Sequence, residues 1–277
     1  MSSKTVLITG SSAGGIGHAL ALAFQKHGAT VFATARSISK MQDLASLPNV
    51  HLLALDVTSP ASIAAAAKEV EAKTGGKLDV LINNAGVQYV MPALDVDIEK
   101  ARDVFEANYW GPLRMIQAFK QMLVKAKGTI VNVGSAAGIF YVPFQSQYNA
   151  SKAAINQYSE TLRMELAPLN VKVVTLVAGN VSSNMVNNAP PPTQLPEHSF
   201  YKPIEKEIAK EEAFTNMSTS KFAEEVASEV LNGASGRVFK GANSGVVKWL
   251  IPFLPQWIFD KLVVANGRGL GKMPKLS

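Results

Sequence analysis

Near the start of the chain, Thr5-Val6-Leu7-Ile8-Thr9 runs directly into Gly10-Ser11-Ser12-Ala13-Gly14-Gly15-Ile16-Gly17-His18. An aliphatic run, a glycine-rich turn and the apolar spacing of Ile16–Lys26 predict a strand, a tight turn and a helix in succession. Glycine lets the backbone close on a phosphate, and the helix that follows offers unpaired N–H groups at the positive end of its dipole. No Gly-Lys-Ser or Gly-Lys-Thr closes the turn, which excludes a Walker-type phosphate loop. A turn placed after a first strand and before a first helix suits a dinucleotide pyrophosphate.

The same alternation repeats outward from this stretch. Short apolar runs at Thr30–Thr34, His51–Leu55, Asp79–Asn83, Thr129–Val133 and Lys172–Val177 read as strands buried on both faces, with Val238–Lys240 as a last short one. Helical spacing covers Ser62–Lys73, Ile98–Leu123, Ala150–Leu166 and Lys221–Leu231. This alternation predicts an α/β fold, a doubly wound parallel sheet with right-handed crossovers. Ligands of such sheets sit beyond the carboxyl ends of the strands, so the residues just after each strand carry the functional expectation. One domain is expected over residues 1–244, including a long Pro-rich substrate loop at 180–220, followed by an apolar extension over 245–277.

Composition narrows the chemistry. The 277 residues are 47% hydrophobic and 17% charged, which argues for a packed core and against disorder. The net charge of +6 is dispersed, without an Arg/Lys block or a base-stacking motif, so no nucleic-acid partner is expected. Cysteine is absent, which excludes disulfides and thiol chemistry. His18, His27, His51 and His198 are too scattered for a zinc site, and no metal is expected. Met1-Ser2-Ser3-Lys4 lacks the pattern of a signal peptide, so a cytoplasmic location is expected.

The strand ends outline the two ends of a cleft. After the second strand stand Arg36 and Ser37, where an acidic residue would favour NAD. Arg36 is expected to hold the 2′-phosphate of NADP by charge-assisted bonds, the plainer alternative being a solvated surface arginine. Asp56 and Val57 follow the third strand and Asn84-Ala85-Gly86 the fourth, at the same edge. At the other end, Ser135 follows the fifth strand in Gly134-Ser135-Ala136-Ala137, and Tyr148 and Lys152 share a helix face four residues apart. A phenol with a pKa near ~10 exchanges protons poorly at neutral pH. A neighbouring ammonium favours phenolate, and a serine hydroxyl can bond a substrate oxygen where charge develops.

Together, Thr9–Gly17, Asn83-Asn84-Ala85-Gly86, Asn108, Ser135 and Tyr148-x-x-x-Lys152 resemble the short-chain dehydrogenase/reductase family, from about Lys4 to Gly245. The resemblance implies a single Rossmann-like domain with a seven-stranded sheet and NAD(P)-dependent carbonyl–alcohol chemistry. By it, Tyr148 is the acid–base, Lys152 lowers its pKa and holds the nicotinamide ribose, and Ser135 orients the substrate carbonyl. Asn108 is implied to anchor a water in the proton relay to Lys152, and Asp56 to bond the adenine amino group. Asn84, Ala85 and Gly86 are implied to line the cofactor cleft with Gly10, Ser11, Ser12, Gly15, Ile16, Gly17 and Gly179, while Val181 and Ser183 meet the carboxamide end. Two departures stand out. Four residues separate Gly10 from Gly15 where the family's common turn has three, which leaves open which serine meets phosphate, and Ala178-Gly179 replaces the usual Pro-Gly.

Gly15-Ile16-Gly17-His18, Ala33-Thr34-Ala35-Arg36 and the apolar extension are similar to a fungal branch of that family that includes NADPH-dependent 1-acyldihydroxyacetone-phosphate reductases. This implies NADPH and a lipid-like ketone, with polyketide-derived or polycyclic ketones, or a non-catalytic NADP(H)-binding regulator, as alternatives. The expected substrate rim is Gln88, Tyr89, Ala137, Phe140, Tyr141, Val142, Phe144 and Asn180. Gly245–Ala265 carries Trp249, Phe253, Trp257 and Phe259 beside Lys248 and Lys261, broken by Pro252 and Pro255. It reads equally as an anchor on a lipid surface such as the ER or a lipid droplet, a cap over the cleft, or a subunit interface. Helices Ile98–Leu123 and Ala150–Leu166 pair between subunits in many family members, which implies a homodimer or homotetramer.

Overall fold

Alternate residues of the first strand, β1 (Thr5–Thr9), go to opposite faces of a sheet. Val6 and Ile8 pack with Leu20, Phe24 and Phe222, whereas Leu7 packs with Phe32, Leu81 and Phe119. Burial on both faces explains why the strand is apolar throughout. This computed structural model describes residues 3–185, 194–210 and 216–274. Pro190, Pro191 and Pro192 of the expected substrate loop lie outside the described residues.

The strands that follow are β2 (Thr30–Ala35), β3 (Val50–Ala54), β4 (Val80–Asn83), β5 (Thr129–Val133) and β6 (Lys172–Ala178). After the short β7 (Val181–Ser182) and β8 (Met217–Ser218) comes β9 (Gly236–Lys240). A seven-stranded parallel sheet has the order β3-β2-β1-β4-β5-β6-β9, and β7 pairs with β8 in a small sheet of its own. Strand order reverses between β1 and β4, and the crevice at that switch point opens beyond Thr9 and Asn83.

The helices are α1 (Ile16–Lys26), α2 (Pro60–Thr74), α3 (Ile98–Phe105), α4 (Gly111–Ala126), α5 (Ser146–Leu166), the single turn α6 (Glu205–Ile208) and α7 (Thr219–Leu231). Helices α1 and α7 cover one face of the sheet, and α2, α4 and α5 the other. Local chemistry sets several ends. Ser59, Asp97 and Ser218 accept backbone N–H bonds at the starts of α2, α3 and α7, and α2 stops at Gly75 with φ +63°.

One continuous helix over Ile98–Leu123 is not what forms. A π turn at Glu106–Trp110 separates α3 from α4, with the Gly111 N–H bonded to Glu106 O. Pro112 is the cause: it has no N–H to give residue 108, and its ring crowds that carbonyl, so the helix widens for a turn.

The extension folds as α8 (Ser244–Trp249), a short turn at Ile251–Phe253 and α9 (Gln256–Asn266). Val247 is buried against Ala136 and Val177, and the Phe259 ring packs on those of Phe140 and Tyr141. No helix among the described residues is long and apolar enough to cross a membrane.

Candidate active site

At the switch point β1 and β4 are stitched by their own ends. The Asn84 and Ala85 N–H groups donate to Thr9 Oγ1, each at 3.0 Å, and Asn84 Nδ2 donates to Thr9 O at 2.9 Å and Gly10 O at 3.1 Å. Gly10 has φ +74°, and a β-carbon on it would stand 2.9 Å from Ala85 Cα, so only glycine fits. Gly10, Ser12, Gly15 and Ile16 line one cleft with Asn84, Ala85 and Gly86. No side chain caps the start of α1 at Gly15, which leaves the first turn of that helix open to an anion. Ser11 is corrected: it is fully buried, its Oγ donates to Ile8 O at 3.2 Å and its N–H to Thr34 O, so the serine on the cleft is Ser12. Gly17 also stands behind the cleft, where a β-carbon would meet Gly10 O at 2.4 Å. It lets α1 close on the turn.

The end of the cleft expected to take the adenosine is built by the ends of β2 and β3. Arg36 and Asp56 line the same cleft with Val57. Asp56 Oδ1 accepts from Thr58 N at 2.9 Å and from Thr58 Oγ1 at 2.8 Å. Burial pushes the Asp56 pKa up, but these bonds and the charge of Arg36 outweigh it and hold the carboxyl below its ordinary value. Ser37 opens the turn Ile38–Leu44 and bonds Ser39 Oγ at 2.7 Å, outside the cleft lining. From the segment after β6, Ser183 and Asn184 reach the cleft. Gly179 instead bonds Lys240 O at 2.8 Å, and Val181 pairs with Met217 and packs on the core.

Asn184 was not legible in the sequence. Its Nδ2 donates to Ala13 O at 3.1 Å and its N–H to Gly14 O at 3.4 Å, so it fastens the lengthened part of the glycine turn from 171 residues away.

Ser135 lies just beyond β5, its Oγ accepting from Ala137 N at 3.1 Å and standing near enough to the Tyr148 hydroxyl to lower its pKa. Tyr148 sits in the first turn of α5, and Lys152, one turn later, is 4% exposed. Lys152 Nζ donates to Val133 O at 2.8 Å and stands 5.8 Å from the centre of the Tyr148 ring. Loss of hydration lowers the Lys152 pKa to about 8. Burial raises the Tyr148 pKa above the ordinary phenol value, and the neighbouring Ser135 hydroxyl opposes part of that rise.

Asn108 faces inward from the π turn, with its amide fully engaged. Oδ1 accepts from Val87 N at 2.8 Å, and Nδ2 donates to Val87 O at 2.9 Å and Ser151 Oγ at 3.0 Å. Ser151 in turn donates to Tyr148 O at 2.8 Å. The Asn108 side chain therefore holds the loop after β4 against α5. A buried ladder does similar work: Asn83 Nδ2 donates to Asn132 Oδ1 at 2.8 Å, and Asn132 Nδ2 to Ser159 Oγ at 2.9 Å. Asn132 carried a signal in the sequence, a polar residue inside an apolar strand, whereas Ser151 and Ser159 stand among polar neighbours of α5 and carried none.

Of the expected rim, Phe140 and Tyr141 lie under Phe259, at ring-centre distances of 5.9 and 5.0 Å, and Tyr141 donates its hydroxyl to Asp260. Ala137 stands beside Ser135, and Val142 O accepts from Asn149 Nδ2 at 2.9 Å. Gln88 is partly exposed, and Tyr89 is tied through its hydroxyl to Asp97 N at 3.3 Å. Asn180 exchanges backbone bonds with Ala242, each 3.1 Å. Phe144 is corrected: with φ +64° it turns inward and is buried among Val90, Leu195, Ile204 and Ile208, edge-on to Tyr201.

A parallel sheet with a glycine cradle at its switch point, and a Ser–Tyr–Lys group at the far end of the crevice, defines a dinucleotide-dependent oxidoreductase. The chain belongs to the short chain dehydrogenase family, which matches residues 4–194. It is 42% identical over 268 residues to a short-chain dehydrogenase of Penicillium ochrochloron, covering 95% of this chain and 98% of that one. An NADPH-dependent 1-acyldihydroxyacetone phosphate reductase of Schizosaccharomyces pombe is 46% identical over 211 residues, covering 74% of this chain and 70% of the relative. Among solved structures, a short-chain dehydrogenase from Burkholderia cenocepacia in complex with NADP superposes with TM-score 0.75 at 28% identity, covering 94% of this chain and 97% of that one.

Proposed function

We propose that this oxidoreductase reduces a lipid-like ketone to a secondary alcohol with NADPH, a 1-acyldihydroxyacetone phosphate being the substrate class best supported. The observation that carries the reaction is the Tyr148 phenol, beside Ser135 and one helical turn from Lys152, whose Nζ stands against Gly86 of the glycine-lined crevice. The crevice suits the cofactor. The Gly10 turn and the open start of α1 would hold the pyrophosphate, Asp56 the adenine, and Arg36 the 2′-phosphate. The relative named as NADPH-dependent and the NADP-bound neighbour support the same choice.

When bound, the nicotinamide supplies the hydride. The chain's part is to place and protonate the carbonyl. Ser135 Oγ bonds the substrate oxygen, and Tyr148 delivers its proton to that oxygen as charge develops on it. Burial keeps the phenol protonated at neutral pH, so it enters the reductive direction carrying the proton. Burial also weakens it as an acid, which the neighbouring ammonium has to offset. The ammonium of Lys152 stabilises the phenolate left behind. Asn108 and Ser151 act as positioning residues, holding the loop after β4 and the backbone of Tyr148 in register.

Phe140, Tyr141 and Phe259 give the substrate end an aromatic roof suited to an acyl chain. The same three rings favour a second reading, a polycyclic or polyketide-derived ketone. NADPH oxidation with a long-chain 1-acyldihydroxyacetone phosphate tests the assignment: saturable turnover is expected. No turnover, in a sample shown to bind NADPH, moves the assignment to polycyclic ketones. Arg36→Asp is expected to turn the preference toward NADH, and unchanged NADPH affinity in that variant would make Arg36 a surface residue. A homodimer or homotetramer is proposed through α4 and α5, where Met164 stays exposed.

A further inference from the structure

The extension has two faces with different fates. On α9, Phe259 turns inward onto Phe140 and Tyr141. Trp257, Lys261 and Val264 recur at helical spacing on the other side, where Trp257 is 62% exposed. Just before them Trp249, Leu250 and Phe253 are also exposed, Phe253 to 79%. A cluster of large apolar side chains in water marks a surface that something covers.

Charge selects what covers it. Lys248 Nζ lies 4.6 Å over the Trp249 ring and Lys261 Nζ 5.1 Å over that of Trp257. Within this segment Arg268 is buried on the carbonyls of Ile208 and Lys210 and Lys272 pairs with Glu207, so Lys248 and Lys261 carry the charge of the face, and the acidic residue of 244–277 is Asp260. The Asp260 carboxylate is already engaged by Tyr141. A second copy docked on this face about a two-fold axis would set lysines against lysines with no free carboxylate to meet them. An anionic lipid surface meets both needs, taking aromatic rings at headgroup level and lysine ammonium groups at the phosphates.

We propose that this outer face seats the protein on an anionic membrane surface, with Trp249, Leu250, Phe253 and Trp257 inserted and Lys248 and Lys261 on lipid phosphates. Because the inner face of the same segment roofs the substrate rim, docking turns the aromatic end of the cleft toward the bilayer. The proposal holds whichever ketone is reduced.

The test reads the patch directly, since Trp110, Trp249 and Trp257 are the chain's tryptophans and two of them belong to it. In a Trp110→Phe background, full-chain protein is mixed with vesicles of phosphatidylcholine alone or of phosphatidylcholine with phosphatidylserine. A blue-shifted emission and co-flotation with the mixed vesicles are expected, both reversed by raised salt. Each lysine at an anionic surface contributes roughly fivefold in affinity, so K248Q/K261Q should bind on the order of twentyfold more weakly. F253Q/W257Q should lose flotation while still binding NADPH. Equal binding to neutral and anionic vesicles, or no shift with either, would overturn the proposal. So would light scattering that finds a dimer in the parent and a monomer in F253Q/W257Q, which would give the face to a second copy. Should F253Q/W257Q fail to fold, the surface pair K248Q/K261Q decides alone.

Discussion

Lys152 shows the conflict between stability and function within one side chain. At 4% exposure, with Val133 O at 2.8 Å, its pKa falls from 10.5 to about 8. The folded protein therefore binds fewer protons than the unfolded chain between those two values, and the free protein gains stability as pH rises through that window. At neutral pH the buried ammonium costs on the order of 3 kcal/mol. Lys152→Met should stabilise the free protein by about 1–3 kcal/mol at pH ~7. The gain should shrink at pH ~10, where the lysine is already neutral, while turnover is lost at both. Urea unfolding at the two pH values checks it, and an equal gain at both would show that charge burial is not the cause. Tyr148→Phe tests the other partner. Reduction should fall roughly 10²- to 10⁴-fold, the usual contribution of a positioned acid, with NADPH binding retained. Undiminished turnover would remove Tyr148 as the proton donor. The Tyr148/Lys152 spacing was legible because a helix puts positions four apart on one face, but the burial that sets their pKa values was not.

Among the elements, the strands were read within a residue or two because burial on both faces leaves an unmistakable apolar run, as in Thr129–Val133. The interruption at Glu106–Trp110 was not, since apolar positions continue through it and one proline in a good helical context looks like a tolerated kink. That missed turn is what swings Asn108 inward to Val87 and Ser151. Asn184 escaped for a different reason: its partners, Ala13 and Gly14, lie across the whole sheet in sequence, and no local pattern encodes such a contact. Asn108→Ala removes all three bonds of the amide and should destabilise the protein by about 2–3 kcal/mol. If the π turn positions α5 as argued, kcat should drop more than NADPH affinity. A variant with lowered stability but unchanged kcat would reduce Asn108 to a structural role.

For the whole molecule, the extension was read as anchor, cap or interface; α9 presents Phe259 inward and Trp257 outward, so one segment has a face for each of the first two roles. Removing the segment outright would confound them, since Val247 is part of a buried cluster with Ala136 and Val177 next to Ser135. A single inward ring separates the roles. Phe259 contacts Phe140 edge-on at 5.9 Å and Tyr141 at 5.0 Å, and takes no part in proton transfer. A ring that covers an acyl chain adds about 25 cal/mol per Å² of apolar surface it buries, so Phe259→Ala should raise KM for a long-chain ketone roughly tenfold. A short ketone that never reaches the roof should keep its KM, and kcat should change little for either substrate. Steady-state kinetics across a series of chain lengths reads the difference. Equal losses at every length would mean that Phe259 merely holds the extension in place, whereas a loss that grows with chain length puts the acyl group under α9.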